Sequence, residues 1–221
     1  MSGFKIIKYI FVLYLAEMER WQNCVAVVTG ASSGIGAAVV KDLLKAKENL
    51  QVVGLARRLE RMIAYAKEFS PEQQQRFHSL KCDISSRESV DSCFDWIIDN
   101  LGRVDIFINN AGIFVMGQLS TIDPSIPQQI LQTNVMGIVY CTQRAFKSMK
   151  ERKFDGHVVI VNSNLGHKIP SGGNAPPFMN MYGPSKFAVT AMTELYRQEF
   201  KGLGTKVKIT VSTFYTHDLY E

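Results

Sequence analysis

The 221-residue chain predicts a doubly wound α/β domain, a parallel sheet with helices on both faces. Three observations carry the prediction. Short, nearly all-apolar runs at 25–28, 51–55, 77–81, 105–108, 157–161 and 207–212 read as strands buried on both faces. Amphipathic stretches near 35–46, 58–69, 86–101, 125–150 and 181–201 alternate with those runs and read as crossover helices. The first strand runs directly into a glycine-rich turn that opens the first helix. Loop signals fall at Ser70-Pro71, around Pro124 and Pro127, and in the stretch from Ser171 to Pro177, with no internal repeat and no low-complexity linker.

Composition narrows the function classes. A hydrophobic fraction of 46% with 20% charged residues is ordinary for a globular domain with a sizeable core. The net charge of +5 comes from 25 basic and 20 acidic residues spread along the chain without a basic block. That pattern reads as a mixed solvated surface rather than a nucleic-acid footprint, and an anionic cofactor would use part of the positive charge. Cys24, Cys82, Cys93 and Cys141 show neither C-x-x-C nor zinc-ligand spacing, and His78, His157, His167 and His217 are scattered, so no metal is expected. Cys24 and Cys82 border predicted strands and read as small core residues in a reducing, cytoplasmic compartment.

Residues 4–16 form an apolar run broken by Lys5 and Lys8, too short to span a bilayer unaided. No small-residue cleavage site follows it, since Glu17, Met18, Glu19 and Arg20 come next. Residues 1–17 therefore read as an appendage: a weak membrane-surface contact, an upstream start, or a packed helix. Residues 18–221 form the single expected domain.

Taken in order, the strand ends carry the chemistry, because ligands of such sheets bind beyond the carboxyl ends of the strands. The turn after the first strand reads Thr29-Gly30-Ala31-Ser32-Ser33-Gly34-Ile35-Gly36. Gly30, Gly34 and Gly36 let backbone N–H groups approach a pyrophosphate, and the helix N-terminus adds partial positive charge. Ser32, Ser33 and Ile35 complete the expected cradle. The spacing is G-x-x-x-G-x-G, not the more familiar G-x-G-x-x-G.

The second strand ends in Ala56-Arg57-Arg58, about twenty residues after the glycines, where a ribose-binding acid would favour NAD. Two guanidiniums there suit a 2′-phosphate, so the cofactor read is NADP(H), with Arg57 the main contact and Arg58 either a second contact or helix surface. After the third strand, Asp83 can accept from an adenine amino group and Ile84 can cover the ring. Asp83 also fits a helix cap, a role Ser85 or Ser86 could fill instead. Asn109-Asn110-Ala111-Gly112 follows the fourth strand, with Asn110, Ala111 and Gly112 expected against the cofactor and Asn109 bracing the sheet.

Ser163 follows the fifth strand, and Tyr182-Gly-Pro-Ser-Lys186 opens a helix. Tyr182 and Lys186 lie four apart and share one helix face, with Pro184 tolerated in the first turn. A neighbouring ammonium favours the phenolate, so Tyr182 can exchange a proton with an alcohol or carbonyl. Ser163 can hold the substrate oxygen against it, or serve a local turn. Phe114, Val115, Met116, Ile169, Phe178 and Met179 would line a hydrophobic pocket.

With Asn134 added, these motifs follow one another in the order found in the short-chain dehydrogenase/reductase family, which the chain resembles from about residue 20 to 210. The stretches Met149–Arg152, Gly156–Val159, Asn162-Ser163 and Gly166-His167 look like the branch that holds insect farnesol dehydrogenases and family member 11. The resemblance implies a Rossmann-type fold and four catalytic residues, Asn134, Ser163, Tyr182 and Lys186. Lys186 would hold the nicotinamide ribose, and Asn134, otherwise a satisfied core amide, would hold a water relaying protons to it. It also implies NADP(H), isoprenoid or steroid-like alcohols and carbonyls as substrates, and homo-oligomers.

The family pattern continues past the sixth strand with Pro-Gly, a closing segment, and a last helix and strand. This sequence instead has Phe214-Tyr215 and runs to Glu221, so the resemblance implies that the last strand and helix are missing and oligomerisation is doubtful. A nucleotide-binding protein of the same fold with impaired catalysis is the competing expectation.

Overall fold

The computed structural model describes residues 21–46, 49–170 and 178–214. The expected appendage at 1–17, the loop residues Gly172, Gly173, Pro176 and Pro177, and Tyr215 lie outside the described residues. Strands form at every predicted run: β1 (Val25–Thr29), β2 (Gln51–Ala56), β3 (Phe77–Lys81), β4 (Ile106–Asn109), β5 (His157–Ser163) and β6 (Lys208–Phe214). They make one sheet in the order β3-β2-β1-β4-β5-β6, and every pairing is parallel.

All five residues of β1 are buried, which explains its unbroken apolar run. Val25 and Val27 face one core with Phe94, Ile97, Cys141 and Met149. Ala26 and Val28 face the other with Val39, Val40, Leu43 and Met62. All four cysteines are buried as thiols.

The crossovers are α1 (Gly34–Lys45), α2 (Leu59–Ala66), α3 (Pro71–Arg76), α4 (Arg87–Leu101), α5 (Ser125–Leu131), α6 (Gly137–Glu151) and α7 (Tyr182–Gly202). No described helix is long and apolar enough to cross a membrane. Three sequence expectations are corrected. Ser70-Pro71 is not a loop but the start of α3, where the Ser70 hydroxyl accepts from Gln73 N and the Gln73 side chain accepts from Ser70 N. Pro124 and Pro127 likewise sit at the cap and in the first turn of α5, where a missing N–H costs nothing. The stretch read as one helix over 125–150 is divided by a π-helical turn, Gln132–Met136.

The first strand lies at the centre of the sheet, the next two run outward to β3, and β4 then falls on the other side of β1. The switch point thus lies between the carboxyl ends of β1 and β4, where the glycine turn and Asn109–Gly112 emerge.

Candidate active site

The two loops at the switch point are locked together. Thr29 Oγ1 accepts from Asn110 N and Ala111 N, each at 3.0 Å, and Asn110 Nδ2 donates to Thr29 O at 2.9 Å. A Cβ on Gly36 would lie 2.4 Å from Gly30 O, so only glycine allows the turn to close on itself. Gly34 has a φ of +55° and nothing within 4 Å of where its Cβ would point, which leaves that side of the turn open to a ligand. The first turn of α1 carries no acidic side chain to offset its N-terminal amides. Asn110 therefore braces the turn with its amide, while Asn109 donates to Thr142 Oγ1 at 2.9 Å inside the core.

A groove of about 200 Å3 runs from this junction across the ends of β2 and β3. It brings together Gly30, Ser32, Ser33, Arg57, Arg58, Asp83, Ile84, Asn110, Ala111 and Gly112. Gly34, Ile35 and Gly36 stand outside its lining, in the first turn of α1, with Ile35 packed against the core. Arg58 is not plain helix surface: it occupies the cap position of α2, and its Nη2 reaches back to Ser33 Oγ at 3.0 Å and Ser32 Oγ at 3.4 Å. The adjacent parallel strands cause this, because Thr29 pairs with Leu55 and both strands end side by side.

Asp83 Oδ1 accepts from Ser85 N and Ser85 Oγ, and the cap of α4 falls to Ser86, whose hydroxyl accepts from Ser89 N. Ile84 lines the groove but is buried against Gly137. The groove also contains Thr133 and Ile113, which the sequence reading did not name. Thr133 falls in the π turn, which a pattern read at 3.6 residues per turn cannot reveal.

Tyr182 is the first residue of α7, and Lys186 follows one turn later. Lys186 is only 7% exposed. Its Nζ donates to Val161 O at 3.3 Å and stands 5.6 Å from the centre of the Tyr182 ring. Burial disfavours the ammonium and brings its pKa down to about 8. Ser163 ends β5 beside this helix. Its hydroxyl accepts from Leu165 N and donates to Asn164 Oδ1, so it caps a single 3₁₀ turn, Asn164–Gly166. That turn docks on α7, where a Cβ on Gly166 would lie 2.6 Å from Lys186 O.

Asn134 is 1% exposed within the π turn. Its Oδ1 accepts from Ile113 N, and its Nδ2 donates to Ile113 O and to Ser185 Oγ. Both amide hydrogens are thus engaged by protein, and one Oδ1 lone pair is left over.

Apolar side chains stand beside the start of α7. The Phe114 ring meets the Tyr182 ring edge-on at 5.1 Å. Gly183 has no Cβ and so makes room for Ile169, whose Cδ1 would lie 2.6 Å from one. Gly117 N donates to Phe178 O at 2.9 Å, which brings the segment after β4 against the residues that lead into α7. Phe114, Val115, Met116, Ile169 and Phe178 are all exposed, although apolar side chains of this size usually seek cover. Among the described residues no cluster of three His, Cys, Asp or Glu side chains could hold a metal ion.

Comparison with known proteins agrees with this geometry. The family model for short chain dehydrogenase matches residues 24–217. The chain is 46% identical to a farnesol dehydrogenase of Aedes aegypti, across 87% of this chain and 77% of that one. It is 38% identical to dehydrogenase/reductase SDR family member 11 of Homo sapiens, across 87% and 73%. Among solved structures, a metagenomic short-chain oxidoreductase in complex with NADP superposes with a TM-score of 0.75 at 25% identity, covering 87% of this chain and 82% of that one. A short chain dehydrogenase/reductase from Burkholderia phymatum in complex with NAD has a TM-score of 0.80 at 22% identity, with 90% and 67% covered. Sequence, sheet order and switch-point loops converge on one assignment: the chain belongs to the short-chain dehydrogenase/reductase family of oxidoreductases.

Proposed function

We propose that the protein is an NADP(H)-dependent oxidoreductase that interconverts a hydrophobic alcohol, isoprenoid or steroid-like, with its aldehyde or ketone. The observation that carries this reading is a buried lysine beside a tyrosine at the foot of an exposed apolar wall. Lys186 Nζ stands 5.6 Å from the centre of the Tyr182 ring, and the Phe114 ring meets the same ring edge-on at 5.1 Å. Burial of a charge is costly and is tolerated where the charge does chemistry.

The residues present fit the cofactor. The open side of Gly34 and the amides that begin α1 suit a pyrophosphate. Arg57 and Arg58 stand at the end of β2, where an acid would select against a 2′-phosphate. Asp83 lines the same groove as Asn110, Ala111 and Gly112, and would take the adenine amino group. When bound, the nicotinamide would supply hydride to the carbonyl carbon or accept it from the alcohol carbon.

The chain's own residues handle the proton and the orientation. Tyr182 gives its phenolic proton to the carbonyl oxygen during reduction and takes one from the alcohol during oxidation. The Lys186 ammonium stabilises the phenolate and would reach the nicotinamide ribose hydroxyls. Ser163 turns its hydroxyl from Asn164 to the substrate oxygen and holds it at the tyrosine. Asn134 would hold the water that returns protons to Lys186. The apolar wall excludes water and takes up the hydrocarbon part of the substrate, as the name of the Aedes aegypti relative also supports.

Fluorescence titration with NADPH and NADH tests the cofactor, and loss of NADPH with farnesal or a keto-steroid tests the reaction. Tighter binding of NADPH with turnover of either carbonyl is the expected result. Equal affinity for the two nucleotides refutes the assignment of Arg57 and Arg58.

A further inference from the structure

We propose that Asn180 is a positioning residue for Tyr182, because it closes a ring of hydrogen bonds between the loop after β4 and the first turn of α7. The proposal rests on the reading of Tyr182 as the proton-transfer group. Asn180 lies two residues before Tyr182, is 8% exposed and has a φ of +31°, in the left-handed region that asparagine tolerates better than most residues. Both ends of its amide are used. Oδ1 accepts from Met181 N at 2.6 Å, and Nδ2 donates across the loops to Val115 O, also at 2.6 Å.

The loop that Asn180 grips is held from its other side by Asn134, which binds both N and O of Ile113. The second N–H of Asn134 reaches Ser185 Oγ at 3.2 Å, and Ser185 Oγ donates to Tyr182 O at 2.6 Å. Asn180, Val115, Ile113, Asn134, Ser185 and Tyr182 thus form a closed circuit, completed through Met181. Asn134 and Ser185 are buried, so water does not compete for their bonds. Within the circuit Phe114 meets the Tyr182 ring, so the circuit sets the spacing between the phenol and the apolar wall. Loss of the Nδ2 donor opens the circuit at Val115, and the stretch between the bonds that remain, Asn134 on Ile113 and Gly117 N on Phe178 O, can then shift against α7. A displacement of about 1 Å in a proton-transfer group can cost about 10²-fold in rate.

Three variants test the proposal. Asn180→Ala removes both bonds. Asn180→Asp keeps the acceptor for Met181 N and loses the donor to Val115 O. Asn180→Gly accepts the backbone conformation freely and so separates strain from the lost bonds. All three are expected to lower kcat about 10–100-fold while the NADPH dissociation constant stays within about twofold, because neither Asn180 nor its partner Val115 lines the nucleotide groove and Asn134 still holds Ile113 at its edge. A residue needed only for folding would instead lower the amount of active protein and leave kcat per active site unchanged.

Amide hydrogen exchange on the cofactor-free protein provides a readout that needs no turnover. Exchange should quicken together at 113–117 and 182–185 in every variant. Wild-type kcat in Asn180→Gly, or faster exchange confined to 180–181, overturns the proposal. A wild-type protein inert towards alcohols and carbonyls sinks the oxidoreductase reading instead, and the exchange experiment still decides the role of Asn180.

Discussion

Replacing Lys186 with methionine is expected to make the cofactor-free protein more stable at neutral pH while destroying its activity. Burial lowers the lysine pKa from 10.5 to about 8. At about 1.4 kcal/mol per unit, holding the charged form in that site costs about 3 kcal/mol at pH 7. Methionine keeps most of the apolar stem and forfeits the 3.3 Å bond to Val161 O, a loss of about 1 kcal/mol. The variant should therefore gain about 2 kcal/mol, or a urea midpoint about 1 M higher. The sign of the pH dependence follows from the depressed pKa. Between pH 8 and 10.5 the unfolded chain keeps a proton that the folded protein has released, so wild-type stability rises relative to the variant across that window. The variant's advantage is complete below about pH 8 and gone by about pH 10.5. Urea unfolding of both proteins at pH 7 and pH 10 measures it, and groups common to both cancel. A variant less stable at pH 7, or equally favoured at both pH values, refutes the argument.

The cofactor and the turn give two further expectations. Arg58→Ala should weaken NADPH binding about 10–100-fold, the value of one charge-assisted contact to phosphate, and leave NADH binding unchanged, with Arg57→Ala acting in the same direction. Nucleotide titration of each variant reads both effects. Gly36→Ala places a Cβ 2.4 Å from Gly30 O and must force the turn open. It should destabilise the protein by about 1–3 kcal/mol in thermal or urea unfolding and abolish nucleotide binding.

The inner strands were legible in the sequence because β1, β4 and β5 are buried at every residue and need apolar runs, as Val25 to Val28 shows, whereas the edge strands β3 and β6 are only partly buried and carry polar residues. The glycine turn was legible because close contacts at Gly30 and Gly36 exclude a Cβ and Gly34 has a left-handed φ of +55°. Less legible features depend on contacts distant in sequence or on local hydrogen bonding without an apolar pattern. Helix α3 has no buried residue and so no hydrophobic period, although its capping box is plain once Ser70 and Gln73 are compared. The π turn at Gln132–Met136 shifts the phase of a helix that composition alone reads as continuous, and Thr133 enters the groove there. The sequence leaves Arg58 as either a second cofactor contact or helix surface, and only the adjacency of β1 and β2 shows that it reaches Ser33. Asn180 carries no motif at all, and only the packing of two loops reveals its reach to Val115.

The central claim is that Tyr182 transfers the proton while the rest of the site binds NADPH without it. Oxidation of NADPH by farnesal, compared between wild type and Tyr182→Phe alongside nucleotide titration, tests it most directly. Loss of one acid–base group should lower kcat about 10²–10⁴-fold with NADPH affinity preserved. Turnover by Tyr182→Phe at the wild-type rate would contradict the account.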